Sequence, residues 1–281
     1  MLLSLAVLLH TNGAWDWDEF SVHPSTVIGL VALGALYAWR ARVEQRRGAP
    51  AIGRSKVGAL VTGLFAMFFS LNGWLHDLSD SYLFSAHMVQ HLVLALVVSP
   101  LLIMGTPGWM LRPALRSPVV TKLARAVTRP IAAFAIFNVV VAAWHLPVLY
   151  NAAMANHDIH ILQHLMFLVA SVLMWWPVLS PLPELPRLSY PLQMLYLFLM
   201  SIPMQIISIY ITYADQTLYP AYAAAPRIWA LSPMEDQLVG GLIMWIPGGL
   251  YFFGVISVIF FKWQSHGALD TAESAQVHVR A

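Results

Sequence analysis

Seven stretches of mostly apolar residues punctuate this chain, at roughly 24–41, 57–76, 82–104, 131–150, 158–179, 191–213 and 235–262. Each approaches or exceeds the ~20 residues that a helix needs to cross a hydrocarbon core. Pro, Gly and charge collect between them, notably over Arg40–Lys56, Thr106–Pro130 and Ser180–Pro191. The pattern predicts an all-α polytopic membrane protein, a single seven-helix bundle with no attached soluble domain. The last stretch is long enough to tilt or to begin with an interfacial turn. Beyond Gln264 the pattern turns polar, and residues 264–281 are expected to form a mobile tail. At the other end, Met1–Leu9 is apolar but lacks a basic leading region and a clear cleavage site, so it is read as a short interfacial segment rather than a signal peptide.

Composition strengthens the membrane reading. Of 281 residues, 59% are hydrophobic and 10% charged, whereas soluble domains carry roughly 25% charged residues. The net charge is only +2, and no basic face interleaves with stacking aromatics, so nucleic acid is not an expected partner. Cysteine is absent. Disulfides, thiolate metal sites, iron–sulfur clusters and covalently attached haem are thereby excluded. A soft metal would have to be held by imidazole or by one of the 13 methionines.

Charge also orients the bundle. With seven spans, the segments 40–56, 105–130, 180–190 and the C-terminus share one side, and they hold every Lys and Arg except Arg227. The positive-inside rule places that side in the cytoplasm and the N-terminus outside. Asp16, Asp18, Glu19, Asp77, Asp80, Asp158, Asp215, Glu235 and Asp236 then fall on the outer side. Trp74, Trp144, Tyr150, Tyr210, Tyr213 and Tyr219 map near the outer interface and read as an ordinary aromatic belt.

Histidine follows the acids. His87 and His91, four apart, share one helix face near the outer end of the third span; His157, His160 and His164 share a face at the start of the fifth. His145 lies about a turn inside the outer end of the fourth span, and His76 closes the second. Ionisable groups inside hydrocarbon are costly and mark functional sites by default. Neutral imidazole is the commonest metal ligand. Pairs on two facing helices would offer four nitrogens, enough for one or two ions. The candidate metal ligands are therefore His87, His91, His160 and His164, with His145, His76 and His157 around them. A lone histidine at a span end is more often a hydrogen-bonding residue, and His10, His23, His266 and His278 are read that way. Among the methionines, Met154 is the best thioether candidate, while Met88, Met166, Met200, Met204, Met234 and Met244 suit gap filling. Asp77 and Asp236 are candidate supporting carboxylates, since carboxylates commonly orient metal-bound imidazole. Asp236 would equally suit a helix N-terminus with no further role.

Four blocks carry a family resemblance: HMVQHLVLALVVSPLLIMGTP (87–107), WHLPVLYNAAM (144–154), HDIHILQHLMFLVASVLMWWPVL (157–179) and DQLVGGLIMWIPGG (236–249). Together, over about residues 20–262, they resemble the CtaG family of bacterial caa3-type cytochrome c oxidase assembly factors. The resemblance implies a seven-span protein of the bacterial inner membrane that serves haem–copper oxidase subunits by handling copper outside the cytoplasm. The family's motif histidines would fall on His87, His91, His145, His157, His160 and His164, and its acidic motif on Asp236. A non-catalytic copper-handling factor is thus the leading expectation. Two others stand beside it: a zinc-dependent intramembrane hydrolase, with three His ligands and an activated water, and a haem-binding protein using two histidines as axial ligands.

Overall fold

The computed structural model describes residues 15, 17, 18 and 20–280, with side chains as far as 265; Met1–Leu9 and the side chains of His10, His266 and His278 lie outside that set. Among the described residues every regular element is helical. In chain order they are α1 (Pro24–Arg46), α2 (Arg54–Ser70), α3 (Gly73–Ser81), α4 (Phe84–Gly105), α5 (Gly108–Leu111), α6 (Pro118–Val127), α7 (Pro130–His145), α8 (Pro147–Ala155), α9 (His157–Leu179), α10 (Tyr190–Thr212), α11 (Pro220–Ala224) and α12 (Pro233–Arg280). Helices α1, α4, α9, α10 and α12 are individually long and apolar enough to cross a membrane. Two bent pairs, α2–α3 at 42° and α6–α7 at 71°, raise the number to as many as seven.

The breaks have local causes. Gly73, at φ 64, turns the chain between α2 and α3, a conformation that costs glycine little. Pro147 forces Leu146 into extended backbone (φ −67, ψ 132), because a residue before proline avoids the helical region. The expected span 131–150 therefore stops at His145, and α8 leaves at an angle as a separate short helix. At the other end of the chain, helix continues to Arg280, through the polar residues that follow Gln264.

Helix α12 packs along α10 and α4, and α9 packs on α7. The core between them is large and apolar, with Phe137, Met174, Trp175, Leu197, Met200 and Phe252 each at most 2% exposed. In α4 a π-helical turn, Val93–Val98, begins two residues after His91. Such a turn shifts the helix register and frees carbonyls. Here the Trp175 indole donates to the Ala95 carbonyl at 2.9 Å, and the Tyr251 hydroxyl donates to that of Leu96. By contrast α1 is loosely held, with only Ala41 and Glu44 buried.

Candidate metal centre

One end of the bundle gathers the histidines. Helix α4 contributes His87 and His91, whose rings lie 4.2 Å apart, and α9 contributes His160 and His164 at 4.5 Å. The two pairs face each other: His87 is 5.7 Å from His160 and His91 is 5.6 Å from His164, centroid to centroid. His145, at the C-terminal end of α7, comes within 6.2 Å of His91. Ligand atoms of His87, His91 and His164 all fall within 4.8 Å of one another, as do those of Asp80, His87 and His160. Phe167 packs at 4.3 Å under His91.

The start of α4 is fixed from across the bundle. The Asp236 carboxylate, fully buried on α12, accepts from the Phe84 and Ser85 amides at 2.7 and 3.1 Å and from the Ser85 hydroxyl at 2.6 Å. A helix N-terminus leaves such amides without intrahelical partners, and a negative charge there is favourable. Asp236 thus holds the helix that carries His87 and His91 and makes no contact with imidazole. Gly240, one turn further along α12, allows the close approach: a Cβ there would run into the Phe84 ring.

Hydrogen bonds decide which imidazole nitrogens are free. The Nδ1 of His145 lies 2.7 Å from the Val141 carbonyl, which can only accept, so Nδ1 carries the proton. The Tyr222 hydroxyl donates to the Ser79 carbonyl at 2.6 Å, and its oxygen accepts from Tyr150 Oη and from His87 Nδ1, both at 3.0 Å. Burial pushes the Tyr222 phenol well above its ordinary range, keeping it a neutral hydroxyl. The Nδ1 of His160 faces Asp80 Oδ2 at 3.5 Å. Each arrangement turns Nε2 inward as a lone pair. The Nε2 atoms of His87, His91, His145, His160 and His164 are all buried without a hydrogen-bond partner. Buried polar atoms are nearly always paired; His91 Nδ1 is unpartnered as well, and the orphans of His87, His91, His160 and His164, with His145 beside His91 at 6.2 Å, fit a cation held by imidazole.

His76 differs. Gln90 must direct its amide nitrogen at the Ser70 carbonyl, 2.6 Å away, and the same group donates to His76 Nδ1 at 3.0 Å. His76 is therefore protonated on Nε2, which points at Asp80 Oδ2, 3.4 Å away. Its place is behind Asp80 and His160, not among the inward nitrogens. His157 is exposed at the start of α9. Asp77 engages the Ser21 hydroxyl and belongs to neither set of candidate ligands. The Met154 sulfur lies 3.7 Å from the Tyr222 hydroxyl, at the edge of the cluster. Met88, Met200, Met204 and Met244 are core filler, and Met166 and Met234 are exposed.

Several contributors escaped the sequence reading. Asp80 was one acid among nine, yet it is the carboxylate between His76 and His160. Tyr150, Tyr219 and Trp144 are buried at 1%, 2% and 5% exposure, so they do not belong to an aromatic belt. Residues 213–232 fold back over the bundle end; Tyr219 donates to the His145 carbonyl at 3.0 Å and stacks on Phe84 at 4.7 Å. Arg227 donates to the Tyr222 and Ala225 carbonyls and so fastens α11 in place. His23 is no surface residue: its ring meets His76 edge-on at 4.3 Å, with Nε2 buried and unpartnered. Gln163, one turn along α9 from His160, has both amide atoms buried without partners.

Uncharacterised proteins of Mycobacterium bovis (strain ATCC BAA-935 / AF2122/97) and Mycobacterium tuberculosis (strain CDC 1551 / Oshkosh) are each 26% identical over 254 residues, covering 84% of this chain. The match takes in 38% of the length of either relative. No solved structure matches. A family model described as cytochrome c oxidase caa3 assembly factor (Caa3_CtaG) matches residues 35–266, a region that takes in α4, α7, α9 and α12 with all five inward histidines. The chain belongs to the cytochrome c oxidase caa3 assembly factor family.

Proposed function

We propose that this protein is a non-catalytic assembly factor for a haem–copper oxidase of the bacterial inner membrane. In this reading it holds copper in the buried histidine cluster and passes it to an oxidase subunit by ligand exchange. The observation that carries the reading is the set of five inward Nε2 atoms, on α4, α7 and α9, with no protein partner. Imidazole without thiolate suits a transferable copper ion better than a locked structural site. The positive-inside rule supports seven spans with this end outside the cytoplasm.

Zinc is the runner-up, because three histidine nitrogens within 4.8 Å also suit a tetrahedral ion with one open position. The same closeness argues against haem, since nitrogens converging from several sides leave no slot for a planar macrocycle. Two measurements test the reading. Purified full-length protein reconstituted in lipid should take up Cu(I) in competition with a chromophoric chelator, and a His87→Ala/His91→Ala strain should lose most of its oxidase activity. A protein that takes no copper, or a strain with unchanged activity, refutes it; preferential zinc uptake with hydrolysis of lipid esters or amides would favour the runner-up.

A further inference from the structure

A cavity of about 320 Å³ adjoins the cluster between α1 and α9, and it has no part in the account above. Its walls include His23 and Gly29 on the α1 side, His157, His160 and His164 on α9, and Asp80. Two of the inward histidines, His160 and His164, therefore border open volume. Elsewhere the cluster is covered: Tyr150, Tyr219 and Tyr222 lie across the bundle end, each at most 3% exposed, and Phe167 packs beneath His91. The wall formed by α1 is the least packed of the spans.

His23 is the unusual group in that wall. Its Nε2 is buried and unpartnered, whereas neighbouring His76 is tied to Gln90 and Asp80. A free imidazole nitrogen beside a cavity that ends at two further imidazoles makes a ladder of equivalent donors. His76, 4.3 Å from His23 and 6.4 Å from His160 between ring centroids, lines the same cavity, so an ion entering there meets imidazoles in succession. His23 also lies outside the region matched by the family model.

We propose that this cavity is the loading vestibule of the cluster and that His23 is a transient metal ligand in it, holding the ion before His160 and His164 take it over. The proposal rests on the reading that the cluster binds copper. It is tested with the full chain in lipid nanodiscs, mixing apo-protein with the coloured Cu(I) bicinchoninate complex and following loss of colour by stopped flow. Equilibrium affinity is measured separately by competition. Two variants probe different features. His23→Ala removes the ligand. Gly29→Trp narrows the vestibule without removing any ligand, since Gly29 lines the cavity and a Cβ there meets nothing within 4 Å.

Both variants should load about tenfold more slowly or worse, a barrier change of about 1.4 kcal/mol, while equilibrium affinity stays within about threefold of wild type. Wild-type loading rates in both variants overturn the proposal. So does a loss of affinity in His23→Ala as large as that in His91→Ala, which would make His23 a resident ligand. A wild-type protein that takes no copper at all overturns the functional reading, and the vestibule with it.

Discussion

Replacing Tyr222 with Phe separates orientation of the cluster from its mere presence. Besides the Met154 sulfur at 3.7 Å, the hydroxyl has three close partners: it donates to Ser79 O at 2.6 Å and accepts from Tyr150 Oη and His87 Nδ1, both at 3.0 Å. Removing it leaves the Tyr150 phenol without its acceptor and takes one partner each from the Ser79 carbonyl and the His87 imidazole N–H. Each such group costs about 1–3 kcal/mol, and Tyr150 can turn to recover part, so a stability loss of about 3 kcal/mol is expected. The effect on metal binding has a different origin. His87 loses the acceptor that fixes its proton on Nδ1, and removing such outer partners typically lowers metal affinity about 10–100-fold. Tyr150→Phe is the matched control, because it deletes one bond, costs about 1 kcal/mol, and leaves His87–Tyr222–Ser79 intact. Cu(I) competition titrations and thermal melts in the same detergent read both quantities. Copper affinity lowered equally in the two variants, or unchanged in Tyr222→Phe, would refute the argument.

Two further substitutions probe the carboxylates. Asp80→Asn removes the negative charge shared by His76 and His160 and leaves one oxygen where the carboxylate had two, and should weaken copper binding about tenfold or more; Asp77→Asn, whose carboxylate engages the Ser21 hydroxyl, should leave affinity unchanged in the same titration. Asp236→Asn keeps an oxygen for Ser85 but turns an amide towards another donor, with the carboxylate now at 2.7 Å from Phe84 N. It should lower stability by about 2–3 kcal/mol, seen as a lower melting temperature, with a smaller effect on affinity than Asp80→Asn; a larger effect on affinity would show that Asp236 acts on the imidazoles after all.

Helix spacing was enough to read that His87 faces the same way as His91, and His160 the same way as His164, because both pairs sit within single continuous helices. What spacing cannot show is where the chain doubles back. Tyr150 and Tyr219 have the composition of interfacial residues, yet the break at Pro147 and the return of residues 213–232 carry them over the cluster. Asp80 has the same local sequence character as Asp77. The two lie three apart on α3, and only the packing around that helix gives one to His160 on α9 and the other to Ser21. His23 belongs with these, since nothing in the sequence around it announces the meeting with His76. The signal that could have raised Asp80 is the pair His76/Asp80, four apart on one helix face.

The strongest argument that the cluster is more than a set of buried histidines lies in how unevenly its nitrogens are satisfied. A structural histidine in a core uses both ring nitrogens, because an unpaired one costs about 1–3 kcal/mol. Here three separate elements, the Val141 carbonyl, the Tyr222 hydroxyl and the Asp80 carboxylate, each face an Nδ1 and leave the matching Nε2 bare. Hydrogen-bonding Nδ1 in two rings and setting it against a carboxylate in the third, while leaving Nε2 bare in all three, is a poor way to stabilise a bundle. It is an efficient way to present neutral imidazoles in a fixed tautomer to something at their centre. Those three elements come from α7, α11 and α3, and α11 is itself held by Arg227. The bias therefore depends on the whole end of the fold, and a ligand that binds there should stabilise all of these segments together.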